Sequence, residues 1–162
     1  MRKVYISILT VLAFLAVSPG SMAIDHPGIT RPVKSVSDFV LIEDGKPVPI
    51  IVSSTDDTAV LRAAANLQND FFMVCGTRPE IRESAETDRA VIAGSLSSDI
   101  IKSMIADNLI DVGDLEAYRE KYVIRFVKNP VEGVDEALVI VGSDRRGAVY
   151  GIYELSEQIG VS

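Results

Sequence analysis

Residues 137–162 read ALVIVGSDRRGAVYGIYELSEQIGVS, and this stretch decides the fold. Ala137 to Val141 is an unbroken apolar run, the mark of a strand covered on both faces. Gly142-Ser143-Asp144 interrupts it. Ala148, Ile152, Leu155 and Ile159 then recur at spacings of 4, 3 and 4, the stripe of a helix with one face on a core. Gly160 ends that helix. A buried strand feeding directly into an amphipathic helix belongs to a layered α/β domain.

The rest of the chain repeats the theme. Phe39-Val40-Leu41-Ile42 is a strand candidate, Asp44-Gly45 is a positive-φ turn pair, and Val48 to Val52 reads as the return strand. Pro47 and Pro49 lack donors, which suits an edge. Ser53-Ser54-Thr55-Asp56-Asp57 supplies hydroxyls and negative charge for a helix start. Val60, Ala64, Leu67, Phe71 and Val74 continue as a helical stripe, widened by Leu61, Ala65 and Phe72, and Gly76 fits a left-handed stop. The predicted helix runs from about Asp57 to Cys75. Ile81 opens a weak strand and Ala90 to Ala93 a better one. Gly94 to Asp99 is a loop into a second helix with Ile100, Ile101, Met104 and Ile105 as its apolar face. Tyr122 to Val127 alternates as a half-exposed strand, and Asn129-Pro130 to Gly133 reads as a turn. The expected fold is an α/β (α+β) sandwich: one mixed β-sheet with about three helices.

Composition bounds the function. The chain has 162 residues, 16 Lys+Arg against 23 Asp+Glu, one His, one Cys and no Trp. A single domain of this size buries a real core. The net charge of −7 leaves no basic block for a phosphate backbone, which argues against nucleic acid. One Cys allows no disulfide framework and no thiolate metal site. Cys75, at a helix end, reads as a small buried hydrophobe, and His26 stands alone in an irregular segment. No triad, zinc site or cofactor motif follows from them.

Residues 1–23 read as a secretory signal peptide. Arg2 and Lys3 form a basic start, Val4 to Val17 an apolar run short of the ~20 residues a spanning helix needs, and Ser21-Met22-Ala23 a cleavage site after Ala23. Removing that leader takes away two basic groups and leaves 14 against 23 acidic, a net of −9. The expected location is secreted or periplasmic, without a membrane anchor after cleavage. Residues 24–37, with Pro27, Gly28 and Pro32, read as an extended lead-in, and 38–162 as the folded domain.

Gly142 to Gly147 has the spacing of a phosphate loop after a strand and before a helix. Ala148-Val149 stands where a P-loop has Lys and Ser/Thr, so the lysine and the metal ligand are both missing. The simpler reading is that Ser143 or Asp144 caps the helix. A glycosidase needs two carboxylates set across a sugar, and none of the 23 acidic residues is singled out as such a pair.

Gly142-Ser143-Asp144-Arg145-Arg146-Gly147 followed by Tyr150-Gly151-Ile152-Tyr153, then Leu155-Ser156-Glu157 and Ile159-Gly160-Val161-Ser162, resembles the N-terminal domain of glycoside hydrolase family 115, the xylan α-1,2-glucuronidases. VLRAAANLQNDFFMVCGTRPEI, AVIAGSLSSDIIKSMI and YVIRFVKNPVEGVDEALVIVG are similar to that family's earlier elements, so the resemblance covers about Phe39 to Ser162. It implies the small α/β domain that precedes the barrel in hexosaminidase-type glycosidases. The family's catalytic acids lie in the barrel that follows, before which this sequence stops, so no catalytic, substrate-binding or metal residue is carried over. The resemblance implies a non-catalytic accessory domain, inactive by itself, of a secreted enzyme removing glucuronic or 4-O-methylglucuronic acid from glucuronoxylan. Its partner would be the catalytic barrel, with polysaccharide met only through the whole enzyme. Arg145, Arg146, Tyr150 and Tyr153 are the expected barrel-docking surface. Two other readings compete. A free-standing carbohydrate-binding or interaction module is disfavoured by the missing Trp, and an anion binder at Gly142–Gly147 by the missing lysine.

Overall fold

The computed structural model describes the backbone of Val4–Ile6 and Thr30–Arg31 and all of residues 39–161. The leader and lead-in readings, His26 and Ser162 fall mainly outside the described residues. The elements are β1 (Val4–Ile6), β2 (Thr30–Arg31), β3 (Phe39–Glu43), β4 (Lys46–Pro47), β5 (Ile50–Ile51), α1 (Thr58–Cys75), β6 (Ile81–Arg82), β7 (Thr87–Ser95), α2 (Asp99–Ala106), β8 (Tyr122–Val131), β9 (Val134–Gly142) and α3 (Arg145–Gln158). A 3-10 turn at Leu115–Ala117 lies between α2 and β8.

The central sheet has the order β6-β5-β7-β9-β8. β6, β5, β7 and β9 run parallel, and β8 closes the edge antiparallel to β9. The domain is thus an α/β sandwich built on one mixed sheet. Alternate residues of the apolar runs serve opposite faces. Val91, Ala93, Leu138 and Ile140 pack under α1 and α3 with Leu67, Phe71, Ile152 and Leu155. Ala90, Ile92, Ala137, Val139 and Val141 pack on the other face with Ile101, Met104 and Leu115. Continuous apolar strands follow from burial on both faces.

A second, antiparallel sheet of order β2-β1-β3-β4 lies beside it. The sequence placed Val48–Val52 as the return strand of a hairpin, and the structure divides that segment. Asp44 and Gly45 take φ of 51° and 76°, and β4 pairs back on β3. The chain then leaves through Val48-Pro49, and Ile50–Ile51 enters the central sheet as a parallel strand between β6 and β7. Prolines mark the crossing because neither can donate to a ladder.

Other expectations are corrected by burial and pairing. Phe72 is 44% exposed, and Ala65 also faces solvent; α1 buries the narrower stripe Val60, Ala63, Ala64, Leu67 and Phe71. On α2 only Ile101 and Met104 are buried, with Ile100 and Ile105 at the rim. Asn129-Pro130 lies within β8, where the register shifts between Lys128 and Val131, and the turn is at Glu132-Gly133.

Candidate functional site

In an open α/β sheet, ligands bind beyond the carboxyl ends of the strands where the chain turns to opposite sides. Here that point lies between β5 and β7. β5 leads through α1 to β6 on one side, and β7 is followed by β9 on the other. The β5–α1 loop brings Ser53, Thr55 and Asp56 to this crevice, and the end of β7 brings Ser95 and Ser97.

These groups are occupied with each other. Asp56 is 8% exposed. Its carboxylate accepts the Ser95 amide at 3.0 Å, the Ser95 hydroxyl at 2.9 Å and the Asp57 amide at 2.7 Å. Ser95 Oγ lies 2.7 Å from Ser97 Oγ. Thr55 Oγ1 donates to Asp99 at 3.2 Å, and the Ser54 amide donates to Glu83 at 2.7 Å. The Ser54 hydroxyl first, and then that amide contact, lower the Glu83 carboxyl from its ordinary value. Ser98 Oγ is buried without a hydrogen-bond partner, but it sits 3.0 Å from where a Cβ on Gly94 would stand, turned back onto β7. The crevice is therefore plugged by an internal tie between two strands.

The Gly142–Gly147 loop is likewise spent on packing. A Cβ on Gly142 would lie 1.9 Å from the Ala148 nitrogen, and one on Gly147 would lie 2.1 Å from the Lys121 carbonyl oxygen. The glycines permit backbone to touch backbone. Asp144 caps the helix: its carboxylate accepts the Gly147 amide at 2.9 Å and the Glu120 amide at 3.0 Å. The Ser143 amide donates to Lys121 O at 2.8 Å. A carboxylate thus stands where a phosphate would have to sit. The hydrogen bond from Gly147, helped by that from Glu120, holds the Asp144 carboxyl below its usual value against the opposing effect of burial. This stabilisation is present at neutral pH and fades as acid protonates the group. Asp144→Ala is expected to cost about 1–2 kcal/mol at pH 7, with the difference from the parent shrinking on titration below the ordinary Asp range. Urea unfolding of both proteins at pH 7 and pH 3 measures it; a pH-independent difference contradicts the capping role.

Of the four residues expected to form a docking surface, three share one stripe. Arg146, Tyr150 and Tyr153 follow at i, i+4 and i+7 on the solvent face of α3. Tyr150 and Tyr153 are 41% and 43% exposed. The Arg146 guanidinium donates to the Tyr150 hydroxyl at 2.9 Å and pairs with Glu120 at 2.7 Å. The Tyr153 hydroxyl accepts from Asn66 of α1 at 2.8 Å. Arg145 turns away from this stripe toward Asp57, at 3.5 Å. Val161, just past the helix, is partly buried against the core. Asn66 and Glu120 join the surface from distant segments, and no local sequence signal marks either. Cys75 is half-buried, with Sγ 3.4 Å from the Thr77 carbonyl oxygen.

Elsewhere the surface carries open, shallow hollows. Three of them, of about 290, 530 and 400 Å³, are lined by residues that include Lys46, Pro49, Arg82 and Glu86. Among the described residues no group of three or more His, Cys, Asp or Glu side chains is placed to hold a metal ion, and no helix is long and apolar enough to cross a membrane.

No protein-family model matches the chain, and no curated protein matches it. Among solved structures, a family GH115 4-O-methyl-α-glucuronidase, BtGH115A, with specificity for decorated arabinogalactans, superposes with a TM-score of 0.60 and 25% identity, over 75% of this chain and 14% of that one. The structure of CpGH84D aligns with a TM-score of 0.47 and 17% identity, over 69% of this chain and 17% of that one. The chain thus spans a small part of each solved protein. The first likeness relates it to a glycosidase-associated domain.

Proposed function

We propose that this chain is the non-catalytic N-terminal domain of an exported glycoside hydrolase that removes glucuronic or 4-O-methylglucuronic acid from polysaccharide side chains. The observation that carries the reading is the superposition on a family GH115 enzyme over three-quarters of this chain, 75%, at 25% identity. The site chemistry supports a non-catalytic role. The carboxylate at the natural ligand crevice, Asp56, is engaged by three donors, and the loop carboxylate Asp144 caps a helix. Both carboxylates are occupied by donors of the fold itself, whereas glycoside hydrolysis uses a pair of carboxyl groups free to act across a sugar.

The proposed polymer is glucuronoxylan, and the neighbour's specificity makes decorated arabinogalactan the second substrate to test. The purified chain is expected to release no uronic acid from either above a buffer blank. Release abolished by substituting a carboxylate of this chain overturns the non-catalytic reading. The leader is proposed to direct export, with cleavage after Ala23, and intact mass of the exported protein tests it.

The partner surface is the stripe Arg146, Tyr150 and Tyr153, proposed to lie against the catalytic barrel. Two tyrosines whose hydroxyls accept from Arg146 and Asn66 offer broad amphipathic area. Alone, the domain is expected to self-associate through this face, and Tyr150→Ser with Tyr153→Ser is expected to reduce it. Light scattering showing a clean monomer at high concentration for the parent removes the case for a covered surface.

A further inference from the structure

Helix α3 carries two stripes. Ala148, Ile152, Leu155 and Ile159 face the core. Arg146, Tyr150, Tyr153 and Glu157 recur on the outside at the same spacings of 4, 3 and 4, and all four are exposed. At about 100° per residue they fall within roughly 60° of one another around the helix. They form one seam, of the kind that packs helix on helix.

The seam reads the same from both ends. Arg146 and Glu157 are equidistant from a point between Gly151 and Ile152, and so are Tyr150 and Tyr153. An antiparallel copy laid over that point sets Arg146 opposite the other copy's Glu157, and Tyr150 opposite the other copy's Tyr153. Two-fold symmetry then repeats both contacts.

The charges fit this arrangement. A helix start favours negative side chains and a helix end favours positive ones. α3 has the reverse: no acidic residue in its first turn, where Arg145 and Arg146 stand, and no basic residue in its last, which holds Glu157. Within one chain that placement is unfavourable. Beside an antiparallel copy each charge lies against the opposite end of the other α3, where its sign is favoured. Among the described residues no hydrogen bond or ion pair engages the Glu157 side chain. Arg146 serves the Tyr150 hydroxyl and Glu120. Its side chain is still 59% exposed, and a guanidinium has five donors.

We propose that the outer seam of α3 is an isologous dimer interface, occupied in the chain by itself by the antiparallel α3 of a second copy. This inference rests on the covered-surface reading above and names the occupant. Tyrosine contact supplies the adhesion, and the Arg146–Glu157 pairs fix direction and register. A two-fold contact closes on itself, so the product is a dimer and not an open aggregate.

Sedimentation equilibrium of the purified chain over a concentration series tests this, with circular dichroism to check the fold of each variant. At about 0.15 M salt the Debye length is about 8 Å, which screens the net negative charge of each copy more than pairs in contact. The parent is expected to equilibrate between monomer and dimer. Arg146→Glu and Glu157→Arg each set like charges opposite one another twice per dimer. Each alone is expected to weaken dimerisation roughly tenfold, the combined effect of two exposed pairs. Mixed one to one, the two variants are expected to associate about as tightly as the parent, because each offers the charge that the other lacks. Glu157→Arg breaks no contact within the chain, so it carries the test should Arg146→Glu disturb the fold through Glu120. A parent that stays monomeric at high concentration overturns this proposal and the covered-surface reading together. Association indifferent to Glu157→Arg, folded variants that fail to recover on mixing, or assembly beyond the dimer overturns this proposal. The covered-surface reading survives those results where Tyr150→Ser with Tyr153→Ser still reduces association.

Discussion

Gly142→Ala is expected to lose more than about 4 kcal/mol of stability, at the extreme of single substitutions. The added Cβ would meet the Ala148 nitrogen at 1.9 Å, the Ala148 Cα at 2.5 Å and the Gly147 carbonyl carbon at 2.5 Å. All three are backbone atoms of the first turn of α3, so no side-chain rotamer can relieve the clash. Gly142 is also fixed on its own side. It pairs with Ser95 of β7 and Tyr122 of β8, and its carbonyl accepts the Leu96 amide at 2.9 Å. Either the strand end or the helix start must move, and α3 covers much of one sheet face. A domain of this size has only about 5–15 kcal/mol in total, so the variant should be largely unfolded at 37 °C. The parent and variant are compared by urea denaturation followed by circular dichroism. A midpoint within the equivalent of 1 kcal/mol of the parent contradicts the close approach.

The second large effect is expected from the crevice. Asp56→Ala removes the acceptor of three hydrogen bonds and leaves the Ser95 amide and hydroxyl, in a residue 1% exposed, without their charged partner. Hydrogen bonds to a charged group contribute about 1.5–3 kcal/mol, and a stranded buried donor costs about 1–3 kcal/mol. The bonds share one carboxylate and are not additive, so the expected loss is roughly 2–4 kcal/mol. Asp56→Asn keeps one acceptor and should lose less. Asp57→Ala, which removes only the α1 cap to the Ala59 amide at 2.8 Å, should lose about 1 kcal/mol. Thermal unfolding of the three variants orders them. Equal losses for Asp56→Ala and Asp57→Ala would show that the tie across β5 and β7 has no special weight, and would reopen the crevice as a candidate ligand site.

The contrast between these neighbours shows where sequence reading stops. Ser53 to Asp57 reads as a run of helix-start residues, and Asp57 does cap α1. Asp56 has the same local character but turns inward, because β7 ends beside it with donors to satisfy. Local capping preference is visible in a pentapeptide, whereas the partner 39 residues away along the chain is not. The Gly142–Gly147 loop is legible further. Its missing lysine argues against a P-loop, and of the two capping candidates, Ser143 and Asp144, it is Asp144 that caps α3.

Periodicity alone determined the three helices, the buried strands Ala90–Ala93 and Ala137–Val141, and the stripe of Ala148, Ile152, Leu155 and Ile159, whose exposures are 0%, 0%, 0% and 6%. Those features are local: a stripe or run must meet apolar surface whichever neighbour supplies it. Tertiary structure alone decided the rest. It split Val48–Val52 between two sheets, because strand partners are chosen by long-range backbone pairing. It turned Arg145 away from the stripe of Arg146, Tyr150 and Tyr153 toward Asp57 and packed Val161 partly against the core, because a helical wheel does not show where neighbouring elements offer partners. It turned Gly142 from a possible ligand cradle into a contact point, because only the docked α3 brings another backbone within reach of its missing side chain.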